Sequence, residues 1–122
     1  MPPLVLVADD HPSLRTLVVA MLRRSGEWEL VEAVDGEAAL AVCRGHDVDV
    51  AILDQRMPGH QGLDVARILR EEGFDGGLIL FSAYLDRDAE EAAAALQVAT
   101  LHKSDIANLV ELVERLLAPP GS

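Results

Sequence analysis

Cysteine, aromatic side chains and long apolar runs are all scarce in this sequence. Its one cysteine, Cys43, excludes an intramolecular disulfide, and its place in a helical pattern predicts a small core residue. With only two Phe, one Tyr and one Trp, the core must be built from Val, Leu, Ile and Ala. No apolar stretch approaches the ~18 residues of a membrane-spanning helix, and no basic-then-apolar leader is visible. We therefore expect no membrane association and a cytoplasmic location.

Positive charge is also scarce. Lysine and arginine total 10 against 21 acidic residues, the net charge is −11, and Lys103 is the only lysine. Phosphate contacts dominate nucleic-acid affinity and require basic side chains. The composition therefore predicts no direct nucleic-acid binding by this domain, and it disfavours anionic membranes for the same reason.

Apolar residues, in contrast, are abundant and occur in short runs that alternate with helical patterns. They make up half of the 122 residues, enough for one domain with a sizeable core. The runs predict strands, and the helical periodicity between them predicts helices, with Asp35 as the N-cap of the second helix. The predicted strands are 4–8, 28–34, 48–53, 78–82 and 98–101; the predicted helices are Pro12 to Gly26, 36–44, 63–72, 89–96 and a last one capped by Ser104 or Asp105.

Five strand–helix units in this order predict an α/β fold with a doubly wound parallel sheet and five helices. Right-handed crossovers place helices on both faces of the sheet. The expected strand order is 2-1-3-4-5, which is flavodoxin-like, with the switch point between the first and third strands. The second strand alternates in polarity, so we expect it at an edge.

Polar side chains follow four of the predicted strands. Asp9 and Asp10 follow the first, Asp54 the third, Ser82 the fourth and Lys103 the fifth. The carboxyl ends of parallel strands meet in one crevice, where such folds bind ligands. Oxygen ligands favour Mg²⁺ or Mn²⁺ over zinc, and a carboxylate can act as a nucleophile toward phosphorus. We therefore expect a divalent cation and a phosphoryl group, with Lys103 and Ser82 holding phosphoryl oxygens.

The same residues carry a family resemblance. In order and spacing, the sequence resembles the receiver (CheY-like) domain of two-component response regulators from Leu4 to about Leu117. We accordingly assign residues 1–118 to a receiver domain and 119–122 to a linker stub or an appended tail. The residues that match are Asp9-Asp10, Asp54, Met57-Pro58, Gly62, Ser82-Ala83 and Lys103.

The resemblance implies a role for each of these residues. Asp54 would accept a phosphoryl group from a histidine kinase or a phosphotransfer protein. Asp9, Asp10 and Asp54, with the backbone carbonyl of Arg56, would bind the metal. Ser82 and Lys103 would read the phosphoryl group and transmit a conformational switch to an output. Such a domain catalyses its own phosphorylation and slow dephosphorylation rather than a metabolic reaction, and a homodimer formed on phosphorylation is a further expectation.

Two positions depart from the family pattern. Thr100 stands where the family usually has an aromatic switch residue, and Ser104 stands where a proline commonly follows the lysine. These departures concern the switch and the output, not the phosphoryl chemistry. By the same resemblance, Arg56 and Tyr84 flank the approach to the phosphorus atom.

Three other interpretations compete with this one. A phosphohydrolase of the aspartyl-phosphate kind needs a second acid two residues after the nucleophile, where this chain has Arg56. A flavin-binding module of the same fold needs a phosphate-binding loop after the first strand, where Asp9 and Asp10 would repel the phosphate. The third is a receiver domain that acts only as an unphosphorylated interaction module.

Overall fold

Strands and helices alternate throughout residues 2–117, the part of the chain that this computed structural model describes. The five strands are β1 (Leu4–Ala8), β2 (Glu29–Ala33), β3 (Val50–Leu53), β4 (Gly77–Ser82) and β5 (Ala99–His102). The five α-helices are α1 (Pro12–Ser25), α2 (Gly36–Gly45), α3 (Gly62–Glu71), α4 (Arg87–Ala95) and α5 (Leu109–Leu117), the last preceded by a 3₁₀ segment, Lys103–Asn108.

The strands form one parallel sheet in the order β2-β1-β3-β4-β5, which confirms the predicted topology. The inner strand β3 is buried along its whole length and apolar, because helices cover both faces of the sheet. The edge strand β2 mixes exposed and buried residues, which explains its alternating sequence. The order places the switch point between β1 and β3, so the crevice lies where Asp9 and Asp54 follow these strands.

Two apolar layers fill the space between the sheet and the helices. Successive strand residues point to opposite faces, so Leu53 and Leu80 pack in one layer, while Ile52 and Phe81 pack in the other. Trp28 packs against the second layer and donates its indole N–H to the carbonyl of Leu22. It lies just before β2, at the amino end of the sheet and away from the acidic residues.

Side-chain caps fix where several helices begin. The carboxylate of Asp35 accepts from the backbone N–H of Ala38 at 2.8 Å, as predicted, and Asp86 caps α4 in the same way through Ala89. Each cap satisfies one of the free N–H groups of a first helical turn.

The prediction that Ser104 or Asp105 caps the last helix is wrong. Strand β5 runs to His102, one residue beyond its predicted end, and Nδ1 of His102 accepts from the backbone N–H of Ser104 at 3.0 Å, so His102 rather than Ser104 or Asp105 supplies the cap. A 3₁₀ segment follows, with non-helical dihedrals at Asp105, and α5 begins only at Leu109. The predicted domain end at residue 118 and the predicted tail at 119–122 lie outside the described residues.

Candidate functional site

Three carboxylates lie together at the carboxyl ends of β1 and β3. Asp9, Asp10 and Asp54, with His11, can each direct one ligand atom to a place where all these atoms lie within 4.8 Å of one another. Asp9 and Asp54 are each only 4% exposed. Like charges this close and this buried repel one another, so the cluster needs a positive charge.

Lys103 supplies one such charge from the end of β5. Its Nζ lies 3.1 Å from Oδ2 of Asp9 and 3.2 Å from Oδ2 of Asp54. The pKa of Asp54 is nevertheless raised, chiefly by burial and then by the charge of Asp9, while Lys103 and the backbone N–H of Arg56 act in the opposite direction. One ammonium group therefore does not offset the burial of Asp54.

Backbone contacts hold the two buried acids rigidly. Asp9 donates its N–H to Ala33, its Oδ1 accepts from the N–H of His11 at 2.9 Å, and Asp54 donates its N–H to Ala8. Gly62 packs so closely on Asp54 that a Cβ there would collide with the Asp54 carbonyl oxygen. This close contact is a steric reason for glycine at position 62, one of the residues that match the receiver motif.

Asp10 is held less completely than its neighbours. Its Oδ1 atom is buried and has no hydrogen-bond partner among the described residues. His11 Nδ1 lies 3.0 Å away, close enough for an ion pair but without the geometry of a hydrogen bond. A buried oxygen without a donor is costly, and it is what a metal ligand looks like before its ion is bound. The all-oxygen donor set fits Mg²⁺ or Mn²⁺.

Ser82 and Thr100 lie on the next two strands. Ser82 is fully buried at the end of β4, and its Oγ accepts from the backbone N–H of Tyr84 at 3.1 Å. Thr100 is half-buried in β5, where it pairs with Leu80. Ser82 thus joins the end of the sheet to the loop that follows it.

Arg56 and Tyr84 stack on each other beside these acids. The guanidinium carbon of Arg56 lies 3.6 Å from the centroid of the Tyr84 ring, a cation–π contact. Both line the pocket that contains Asp10, Asp54 and Lys103. The sequence predicted that each would flank the site, but it gave no sign that the two would touch.

Arg15 is a residue of the site that the sequence reasoning missed. It lies in the first turn of α1, and its Nη1 donates to the backbone carbonyl of Asp9 at 2.7 Å. One signal in the sequence could have indicated Arg15: an arginine in the first turn of the helix that follows an acidic pair at the end of a strand. Side chains on a helix tilt toward its amino end, so this arginine is directed back toward the acidic pair.

Residues 5–114 match the family model of the response regulator receiver domain. The chain belongs to the response regulator receiver domain family. Receiver domains are the phosphoacceptors of two-component signalling, and the family binds Mg²⁺ at an acidic pocket; this chain has a group of acidic residues, Asp9, Asp10 and Asp54, at the end of its sheet.

Relatives of this receiver domain include two NarL proteins. The chain is 46% identical over 81 residues to NarL of Mycobacterium tuberculosis, covering 66% of this chain and 38% of that protein. It is 34% identical over 97 residues to the nitrate/nitrite response regulator NarL of Escherichia coli K12, covering 79% of this chain and 44% of that protein. The match therefore spans less than half of each relative.

Solved receiver structures superpose closely on this one. The signal receiver domain of Mycobacterium tuberculosis NarL is 36% identical, with a TM-score of 0.87, and the match covers 93% of this chain and 94% of that one. The response regulator TrrA of Thermotoga maritima, solved in complex with Mg²⁺ and BeF, is 33% identical, with a TM-score of 0.83 and coverage of 94% and 99%. Among the described residues of this receiver domain, no helix has the length and apolarity to cross a membrane.

Proposed function

We propose that Asp54 is the phosphoacceptor of this receiver domain and that Asp9, Asp10 and Asp54, with the backbone carbonyl of Arg56, hold Mg²⁺ (or Mn²⁺). The observation that carries the proposal is the placement of three carboxylates and Lys103 around one crevice, with Nζ of Lys103 3.2 Å from Oδ2 of Asp54. Similarity to TrrA, whose structure was solved in complex with Mg²⁺ and BeF, supports the same assignment.

Asp54 has the position that a nucleophile needs. Its carboxylate is held at the end of a buried strand and lines an open pocket, so a donor can reach it. A carboxylate oxygen forms the bond to phosphorus while the bond from phosphorus to the donor breaks, and the electron pair leaves with the donor. The product is an acyl phosphate on Asp54.

Lys103 and Ser82 hold the transferred group in this proposal. The ammonium group of Lys103 already bridges Asp9 and Asp54 and can turn to a phosphoryl oxygen as a point charge. Ser82 Oγ uses a lone pair for the N–H of Tyr84, so its own hydrogen is free to donate to another phosphoryl oxygen. When bound, the metal ion neutralises charge on the transferring group.

The proposal extends to the switch, the partners and the domain limits. Receiver domains interact with histidine kinases, and we propose a histidine kinase or a phosphotransfer protein as the donor here. Ser82, with Thr100 in place of the usual aromatic residue, would transmit the switch, and a homodimer would form on phosphorylation. We assign 1–118 to the receiver domain and 119–122 to a linker stub or an appended tail, with a cytoplasmic location and no direct nucleic-acid binding by this domain.

Labelling with a small phosphodonor tests the assignment. The protein is incubated with acetyl phosphate and Mg²⁺, trapped with borohydride and mapped by mass spectrometry. Asp54 should carry the label, Asp54→Asn should lose it, and Asp64→Asn, a surface carboxylate paired with Arg67, should keep it. Equal labelling of Asp54→Asn and the parent would refute the assignment. Omission of Mg²⁺ should abolish labelling in the parent.

A further inference from the structure

One arginine connects the acidic pair to two neighbouring elements. Nη1 of Arg15 donates to the backbone carbonyl of Asp9 at 2.7 Å, and Nε donates to Oε1 of Glu32 at 3.0 Å. The side chain is only 14% exposed, although it lies on the first turn of a surface helix. Arg15 thus joins α1, the edge strand β2 and the end of β1.

The Asp9 carbonyl is the atom through which this contact reaches the metal ligands. The other polar atoms of Asp9 are already engaged, by Ala33, by the N–H of His11 and by Lys103. The carbonyl belongs to the planar peptide unit that ends at Cα of Asp10. A bond that fixes this oxygen therefore fixes the orientation from which the Asp10 side chain projects.

Asp10 has little other support. The described residues provide no hydrogen-bond partner for its buried Oδ1, and the side chain as a whole is 32% exposed. Asp9 itself is anchored through its N–H and through Oδ1, which accepts from the N–H of His11, so loss of the Arg15 contact would free the direction of Asp10 rather than that of Asp9. A metal ion would then have to order Asp10 as it binds.

We propose that Arg15 is a positioning residue that sets the Asp9–Asp10 pair for the divalent cation before the cation arrives, with Glu32 orienting the guanidinium group. This inference rests on the proposed function, because it takes Asp9 and Asp10 as the metal ligands. The proposed role differs from an effect of charge alone, because Arg15 acts through its planar fork of N–H donors, which a lysine lacks.

Three variants test the inference. Arg15→Ala removes the contact, Arg15→Lys keeps the charge without the fork, and Arg67→Ala removes a surface arginine that pairs with Asp64 among the described residues. Mg²⁺ affinity is measured by isothermal titration calorimetry without phosphodonor. Partners that orient metal ligands typically contribute about 10–100-fold to affinity. We expect about a tenfold rise in the Mg²⁺ dissociation constant for Arg15→Ala and Arg15→Lys, and none for Arg67→Ala.

A second readout separates positioning from general damage to the fold. The rate of phosphorylation by acetyl phosphate is followed across a Mg²⁺ titration. A positioning role requires that both Arg15 variants need more Mg²⁺ for half-maximal rate yet reach the parent's plateau. Glu32→Ala should shift the midpoint in the same direction by less, because it leaves the Asp9 contact in place.

Several outcomes would overturn the inference. They are unchanged Mg²⁺ affinity in both Arg15 variants, recovery of affinity by Arg15→Lys, or a lowered plateau with an unchanged midpoint. Failure of the proposed function looks different, since the parent protein itself would then bind no Mg²⁺ or would carry no label on Asp54. The parent arm of each measurement therefore distinguishes the two.

Discussion

The guanidinium carbon of Arg56 lies over the ring of Tyr84, 3.6 Å from its centroid; Arg56 comes from the loop after β3 and Tyr84 from the loop after β4. Both line the pocket that contains Asp54, so together they bridge the two loops next to the proposed site of phosphorylation. The sequence predicted that each of the two residues would flank the site, but it did not predict that they would contact each other.

The stacked pair should prolong the life of the phosphoryl group. Hydrolysis needs a water in line with the bond between phosphorus and Asp54, and neither Arg56 nor Tyr84 is a general base at neutral pH. Replacing both by serine should shorten the phosphoprotein's half-life severalfold, measured by loss of phosphate after the donor is removed. Tyr84→Phe keeps the ring and should decay like the parent. A double variant that decays at the parent's rate or more slowly would show that the pair does not shield the site.

Asp10 should be indispensable although it is not the proposed phosphoacceptor. Asp10→Ala leaves Asp54 and Lys103 in place, but it removes the carboxylate whose Oδ1 has no hydrogen-bond partner among the described residues. We expect no detectable labelling by acetyl phosphate in this variant at Mg²⁺ concentrations that saturate the parent. Normal labelling of Asp10→Ala would mean that the cation lies elsewhere.

The loop after Ser82 should respond to phosphorylation. Ser82 Oγ accepts from the N–H of Tyr84 at 3.1 Å, so a movement of Oγ to meet a phosphoryl group would change that bond and carry the change into the loop. Helix α4 follows, and Ala93 is its one buried residue among those described. Hydrogen exchange should change across residues 83–101 on phosphorylation and stay constant in β1, and Ser82→Ala should suppress the change. Identical protection of 83–101 in both states would count against this route.

Cys43 should be unreactive in the folded protein. Burial raises the pKa of its thiol from 9.0 to about 11, so at pH 8 the folded state holds roughly a hundredfold less thiolate than the unfolded chain. Iodoacetamide at pH 8 should therefore modify the native protein slowly and the urea-unfolded protein quickly.

The raised pKa of Cys43 also makes the stability of the fold depend on pH. The contribution of this thiol to the free energy of unfolding is fully present below pH 9 and is lost as the pH rises toward 11. Equal alkylation rates in both states would contradict the burial argument, and Cys43→Ala should lack the alkaline loss.

The sequence was most informative where local pattern and topology act together. Short apolar runs identify buried parallel strands, and the first predicted strand matches β1 residue for residue. Once the strand order is known, the convergence of Asp9, Asp54 and Lys103 follows from geometry, because each comes directly after a strand.

Contacts between side chains of different elements were not predicted from the sequence. The stack of Arg56 on Tyr84 depends on side-chain rotamers and on the distance between two loops, which no periodicity encodes. The bond from Arg15 to the Asp9 carbonyl was missed although the place of Arg15 in the first turn of α1 was a usable signal. The predicted start of the last helix was wrong for a related reason. Ser104 and Asp105 are residue types that commonly cap helices, but β5 extends to His102, and the side chain of His102 accepts the hydrogen bond from the backbone N–H of Ser104.

Lys103 gives this protein an internal probe of its own chemistry. It is the only side-chain amine in the chain, and in the structure it is bound to Asp9 and Asp54. Apart from the α-amino group, an amine-selective acylating reagent therefore has a single amine as its target, and that amine lies in the crevice. The acylation rate of Lys103 should therefore change when a metal ion or a phosphoryl group binds between Asp9 and Asp54. This rate can be measured on the unmodified protein, without a dye, a tag or a mutation.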